Sequence, residues 1–357
     1  MTGGFLMSKN ENLSGSPGDA GICLFGAEEL LVRLRGFFSE TAGVLSSEDP
    51  ENLHRMRVAS RRIRSALPLL EGCVDSREYR TFRKDIRRFT RALGDARDAD
   101  VQIIFLQELL SKKALPSSGA PGIRRLLLRL SQKRGNLQQK VEAALQRELQ
   151  NQGLHAMERE LRRLVVHCRL RGETQDSRPL RERAQSMLEL RLEEVLALSY
   201  VMGAPEFFEG HHDLRIAVKR LRYTLELFRP LLPEEKGKNI IKTLKDLQTL
   251  LGDLHDLDVW KEMLPPLTEE ERERTREYYG HLRCFPPLEK GMGLLEKHVI
   301  TKRKDLFGEA VKLWKKLEET SFWGELYRLF QELPETYDSS PEEERVSSEE
   351  ENHLEED

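Results

Sequence analysis

The chain has 357 residues, of which 33% are charged and only 7% aromatic, with 58 Lys and Arg against 61 Asp and Glu. Leu, Arg, Glu and Lys dominate, a composition that fits amphipathic helices and argues against a β sandwich or barrel. No apolar run reaches the roughly 20 residues of a membrane span, and the first twenty residues lack a charged-then-apolar export signal, so a cytoplasmic protein is expected.

Residues 1–26, rich in Gly, Ser and Asn, are expected to be disordered. Apolar periodicity then predicts helices near 27–45, 51–71, 77–93, 97–112 and 121–149, with a further segment at 154–168. The clusters EGCVDS and LPSSGAPG supply breaks, as RPLLPEEKG does later in the chain. The polar stretch 171–179 lacks periodicity and is read as a linker between a first half, 27–170, and a second half, 180–333. Residues 334–357 form an acidic tail expected to be disordered. From Glu335 onward it holds 11 acidic residues against one Arg, a net of −10, which leaves +7 on residues 1–334. Cys23, Cys73, Cys168 and Cys284 are far apart, with no zinc or redox spacing, and are read as reduced thiols.

The chain is internally duplicated. The stretch 53–70, LHRMRVASRRIRSALPLL, matches 211–228, HHDLRIAVKRLRYTLELF, and LGDARDADV at 93–101 matches LGDLHDLDV at 251–259. Both matches lie at an offset of 158, which also carries Leu30, Arg33, Leu34 and Phe38 onto Leu188, Arg191, Leu192 and Leu196. Beyond them the halves diverge, and QKRGNL around Arg134 pairs with TKRKDL around Arg303 at a larger offset.

On a wheel of 100° per residue, Met56, Ala59, Ile63, Ala66, Leu67 and Leu70 share one apolar face. His54, Arg57, Arg61 and Arg64 form a narrow basic stripe opposite it. The second copy repeats the arrangement: Leu214, Ala217, Leu221, Leu225 and Phe228 face inward, and His212, Arg215, Lys219 and Arg222 form the stripe. Arg62 and Arg220 occupy a third, shared direction. Residues three and four apart rise about 4.5–6 Å along the axis, so each stripe is a row of cations suited to an extended polyanion. The following helices add Lys84, Arg87, Arg88 and Arg91 in the first half and Lys242 and Lys245 in the second. A solvated helix face has no reason to keep these charges in register twice, so the rows are read as a ligand site.

These residues resemble the CHAD family, the conserved histidine α-helical domain. HRMRVASRRIR and HHDLRIAVKRLR both meet the family pattern of a His, an Arg three residues on, a basic pair and a further Arg. The downstream Leu-Gly-Asp with Arg-Asp-x-Asp-Val is met in full by the first copy; the second has His255 where the first has Arg97. The resemblance covers roughly residues 27–333 and implies an all-α fold of two homologous bundles, about four main helices each, related by a pseudo-twofold axis around a central basic groove or pore. It also implies inorganic polyphosphate as the ligand and association with polyphosphate granules. Arg134, Arg303 and Tyr223 join the candidate binding residues. No alternating Glu-x-Glu-x-Lys strand of a triphosphate tunnel domain is found, which is the pattern of a stand-alone form.

No catalytic residue, metal or cofactor is expected. His211, His212 and Asp213 resemble a metal-binding dipeptide, but the first copy has Leu53 and Arg55 at the flanking positions. Asp95, Asp98, Asp100, Asp253, Asp256 and Asp258 are read as helix caps and partners for Arg rather than as a Mg²⁺ site. Two rival functions are a metal-dependent polyphosphate-processing enzyme and a nucleic-acid binder. The latter is disfavoured because Tyr223 is the sole aromatic beside the stripes.

Overall fold

The computed structural model describes residues 20–47, 49–174 and 177–333. The expected disorder of residues 1–19 and of the tail 334–357 lies outside the described residues. Within them the fold is all-α, with no strand. In chain order the helices are α1 (Ala20–Phe38), α2 (Thr41–Ser46), α3 (Pro50–Ala66), α4 (Ser76–Ser111), α5 (Ala120–Asn151) and α6 (Gly153–Leu170). The second half supplies α7 (Arg178–Leu196), α8 (Phe208–Leu227), α9 (Glu234–Tyr279), α10 (Pro286–Glu319) and α11 (Phe322–Gln331). A short 3₁₀ turn, Ser199–Gly203, lies between α7 and α8. No helix among the described residues is long and apolar enough to cross a membrane.

Local chemistry sets several of these ends. Asp49 caps α3 by accepting from the Glu51 N–H, Asp75 caps α4 through Arg77 and Glu78, and Ser177 caps α7 through Leu180. Each side-chain oxygen satisfies a donor the helix start leaves free.

Three expectations need correction. Residues 20–26 are helical rather than disordered, because Cys23, Leu24 and Phe25 are buried in the main core. The predicted breaks at the two Leu-Gly-Asp motifs do not occur: α4 runs unbroken through Gly94 and α9 through Gly252. A mid-helix glycine costs only about 1 kcal/mol, and the buried neighbours Leu93 and Ala96, like Leu251 and Leu254, outweigh it. Cys23 and Cys73 are joined by a disulfide, their Cα atoms 5.5 Å apart; Cys168 and Cys284 are free thiols.

The duplication is visible in the element boundaries. Ala20, Thr41, Pro50 and Ser76 open successive elements in the first half, and Arg178, Ser199, Phe208 and Glu234 open their counterparts, each 158 residues on. Later elements shift to 169: Gly153 opens α6 and Phe322 opens α11, each preceded by a residue in the left-handed region, Gln152 and Ser321. The intervening insertion lies in α9, which continues through Pro265 and Pro266 to Tyr279.

The halves are not separate domains. Residues 171–174 form a turn leading toward α7, and the main core draws buried side chains from both halves, among them Phe37, Phe89, Leu188 and Phe228. A second core joins Leu106, Ile123 and Leu126 to Trp260, Leu264 and Leu295. Across the halves, helices meet their own repeats, α1 with α7, α3 with α8 and α5 with α10, and α10 also lies against the turn Ser117–Gly119.

At the α5–α10 crossing, Gly122 faces its counterpart Gly291. A Cβ on Gly122 would lie 2.8 Å from the Gly291 Cα, and a Cβ on Gly291 would lie 2.4 Å from the Gly119 carbonyl oxygen. Backbone meets backbone here, so no side chain can move aside. Gly291→Ala is therefore expected to lower unfolding free energy by about 1–3 kcal/mol in denaturant titration, whereas Gly293→Ala, with nothing within 4 Å of its added carbon, should be neutral or stabilising.

Candidate functional site

The apolar faces read from the sequence are the ones that pack. Met56, Ile63, Ala66, Leu67 and Leu70 on the first copy are buried, as are Leu214, Ala217, Leu221, Leu225 and Phe228 on the second; Ala59 is partly covered. Because α3 lies against α8, the two basic stripes are brought face to face. Burial, then Arg61, Arg215, Arg57 and Arg220, push the Lys219 ammonium down to about 7. Burial and Arg61, with Arg215, bring the Arg57 guanidinium down to about 10 against the opposing pull of Asp98 and Tyr223. Such mutual destabilisation of like charges is what an anion would relieve.

An open cavity of about 530 Å³ sits over this meeting point, with Arg61, Arg64, Arg183, Arg191, Lys219 and Arg220 among its walls. Arg191 pairs with Glu194, whose other oxygen lies 3.7 Å from Arg220. Among the described residues, Arg61, Arg64, Arg183 and Lys219 have no carboxylate within ion-pair distance. Arg183 and Arg191 of α7 were not among the sequence candidates. Arg191 had a signal, since Arg33 precedes it by 158 residues; Arg183 replaces Phe25 of the first half and had none.

A second basic cleft of about 470 Å³ lies between α4 and α5. Lys84, Arg87, Arg88 and Arg91 line it, together with Lys140 and Asp95. Arg64 joins the two clefts electrostatically: partial desolvation, then Arg87, Arg61, Arg83 and Arg220, lower its pKa. Lys242 and Lys245, the repeats of Lys84 and Arg87, are exposed on α9.

Other candidates are committed to the fold. Arg57 donates to Asp98 at 2.9 Å, and Arg62 reaches across the halves to Glu226 at 3.1 Å. Arg215 lies beside Asp256. Arg222 is buried against Gln248 and Glu226 and covers the Tyr223 ring at 4.5 Å. Tyr223 lines the cavity yet is 7% exposed. The sequence reading of Arg222 as a ligand contact is thus replaced by a packing role.

The loosely paired Arg134 and Arg303 make the same interaction. Arg134 donates to Asp100 at 2.6 Å, and Arg303 donates to Asp258, the residue 158 beyond Asp100. Arg303 also donates to the Pro205 carbonyl and lies over Phe208, and it is only 7% exposed. These two arginines are internal struts, so their assignment to ligand binding is corrected. The aspartates cap no helix, since α4 and α9 continue through them; the Arg-partner half of that reading describes Asp98, Asp100 and Asp258. The repeated glycines sit beside the repeated arginines: a Cβ at Gly94 would lie 3.9 Å from Arg57 Nε and one at Gly252 3.8 Å from Arg215 Nε, both ordinary contact distances.

The histidines form a further repeated contact. His212 and His255 share a hydrogen bond through their Nδ1 atoms at 3.1 Å; in the first half His54 has Arg97 as its strongest charged neighbour. Positions 97 and 255 therefore adjoin the repeated histidine in both copies despite their different side chains. Burial, with Arg215, His212 and Lys219, holds His255 down to about 4, and His54 and His212 are also lowered, by burial first. All three are neutral at pH 7. His211 is buried, with Nε2 3.0 Å from the Val201 carbonyl and Nδ1 facing Arg303. That geometry makes Nε2 the protonated nitrogen, so both nitrogens are engaged. Among the described residues no three His, Cys, Asp or Glu side chains are grouped as a metal site would need. Asp256 is raised to about 6 by burial, with Asp253 and Asp98 nearby and Arg215 opposing.

A family profile described as the CHAD domain matches residues 30–265, more than half of the chain. Among solved structures, the chain is similar to the CHAD domain from the plant Ricinus communis, with 22% identity over 86% of this chain and 96% of that one and a TM-score of 0.57. It also aligns with PptA from Streptomyces chartreusis, at 17% identity over 82% and 99% of the two chains and a TM-score of 0.46. No curated protein matches significantly.

The division between struts and free cations is testable by stability. Asp258→Ala leaves Arg303 buried without its counter-charge and is expected to cost about 3–5 kcal/mol in chemical unfolding. Asp98→Ala, whose side chain is 63% exposed, should cost under about 1 kcal/mol.

Proposed function

The chain belongs to the CHAD family, and on that premise we propose that it binds inorganic polyphosphate, without catalysing a reaction, through the cations that meet where α3 crosses α8. The observation that carries this reading is the depressed Lys219, crowded by Arg61, Arg215, Arg57 and Arg220. Lys219 and Arg61, with Arg64 and Arg183 beside them in the cavity wall, have no carboxylate partner among the described residues, and an anion would relieve the repulsion they share with their neighbours. A linear chain of phosphates carries charge along its whole length, and arginine forks hold two oxygens each. The α4–α5 cleft, linked through Arg64, extends the same track.

A nucleic acid presents similar phosphates, but single-strand recognition usually adds base stacking on aromatic rings. Tyr223 offers no free face, because it is buried under Arg222. This favours a ligand that is phosphate throughout. Association with polyphosphate granules is part of the same proposal; the Cys23–Cys73 disulfide argues against the cytoplasmic setting expected from the sequence, since such bonds persist in oxidising compartments.

The variant Arg61→Gln, Arg64→Gln, Lys219→Gln removes three cations that no carboxylate among the described residues pairs with. At roughly 1 kcal/mol per lost contact, its affinity for polyphosphate of defined length should fall about 100-fold in calorimetric titration, with helicity retained. Full affinity in the variant would refute the assigned site, and phosphate release by pure protein with Mg²⁺ would refute the noncatalytic reading.

Affinity should also depend on pH. Lys219 titrates at about 7 in the free protein, and a bound polyanion favours its charged form. Binding is therefore strongest below pH 7 and weakens as pH rises above it, with proton uptake on binding near pH 8. Lys219→Arg should flatten that decline; an equally steep decline in Lys219→Arg would assign it elsewhere.

A further inference from the structure

We propose that the acidic segment 334–357 docks in the basic cavity between α3, α7 and α8, and that polyphosphate displaces it. This inference rests on the polyphosphate reading for the displacing ligand, while the docking stands on the observations that follow.

The first is where the described chain ends. Leu333 is buried, and its carbonyl accepts a hydrogen bond from Arg181 at 3.3 Å. Arg181 lies in the first turn of α7, and Arg183, two residues on, is in the wall of the cavity. The acidic segment therefore starts beside the helix that contributes Arg183 and Arg191. From 181 to 191 a helix rises about 15 Å. A segment of 24 residues reaches roughly 80 Å when extended and spans roughly 27 Å as a coil, so the cavity is within its range in either form.

The second is charge. From Glu335 the sequence holds 11 acidic residues against Arg345, in runs at Glu342, Glu343 and Glu344 and at Glu349, Glu350 and Glu351. Among the described residues the cavity wall holds six Lys and Arg and no Asp or Glu. Runs of three carboxylates present clustered negative charge to a wall that has unpaired cations to offer. Tethering places such a segment at millimolar effective concentration, so weak contacts suffice for substantial occupancy.

Lys219 supplies the test, because it is the one lysine in that wall. Zero-length carbodiimide coupling on the full-length protein joins only groups in direct contact. Coupled peptides between Lys219 and Glu342–Glu351 are expected, and they should disappear on adding polyphosphate or high salt. In a second measurement, full-length protein carrying Glu→Gln at 342, 343, 344, 349, 350 and 351 should bind polyphosphate about fivefold more tightly or better at low salt, with the gain lost at high salt. Coupling confined to a lysine near the start of the segment, such as Lys236, which lines a cavity with Glu332, with unchanged affinity in the Gln variant, would overturn the docking and leave the polyphosphate reading intact. Coupling to Lys219 that high salt abolishes, in a protein that shows no polyphosphate binding by calorimetry, would uphold the docking and sink that reading. Polyphosphate that binds while the Lys219 coupling persists would overturn displacement from a shared site.

Discussion

The repulsion between the cations of α3 and those of α8 is the constraint to which the surrounding structure answers. Left to themselves, two helices carrying Arg57, Arg61, Arg215 and Lys219 would not lie together. They do so because the opposite faces of the same helices bury Met56, Ile63, Leu214 and Leu221 in one continuous core. Apolar burial at ~25 cal/mol per Å² is non-directional and falls on one side of each helix, while the charge falls on the other. Folding thus forces the charges together, and under the proposed function part of the affinity for an anion would come from relief of that repulsion.

Two kinds of arginine make the arrangement tolerable. Arg134 and Arg303 are internal, each bound to the equivalent aspartate of its half, and they tie α5 to α4 and α10 to α9. Arg57 is half-covered, with Asp98 beside it, and Arg215 likewise lies against Asp256. Arg61, Arg64, Arg183 and Lys219 have no such partner among the described residues. The gradient runs from neutralised charge inside to uncompensated charge at the cavity, which keeps the net positive potential where a ligand can reach it.

The sequence carried the helical class and both apolar faces in local periodicity and the duplication in the offset of 158, while the meeting of the two stripes was what the family resemblance implied. Even the loose pairing of Arg134 with Arg303 has a structural counterpart in their matched aspartates. What escaped depends on distance in space. Cys23 and Cys73 are separated by 50 residues, and spacing alone does not bring them within bonding range. Gly94 and Gly252 read as helix stops because glycine propensity is local, whereas the packing that carries α4 and α9 past them is not. The stretch 171–179 reads as a boundary by composition, yet the cores on either side of it draw side chains from both halves. Arg222 and Arg303 lie in cationic patterns, and only burial separates them from Arg61 and Lys219.

The most direct test of the account is a crystal structure of the full-length protein with polyphosphate bound. The account predicts a continuous run of phosphates in contact with Arg61 and Arg64 of α3 and Lys219 of α8 at once, leaving Arg134 and Arg303 on their aspartates. Phosphates confined to the exposed lysines of α9, with the α3–α8 cavity holding only solvent, would contradict it.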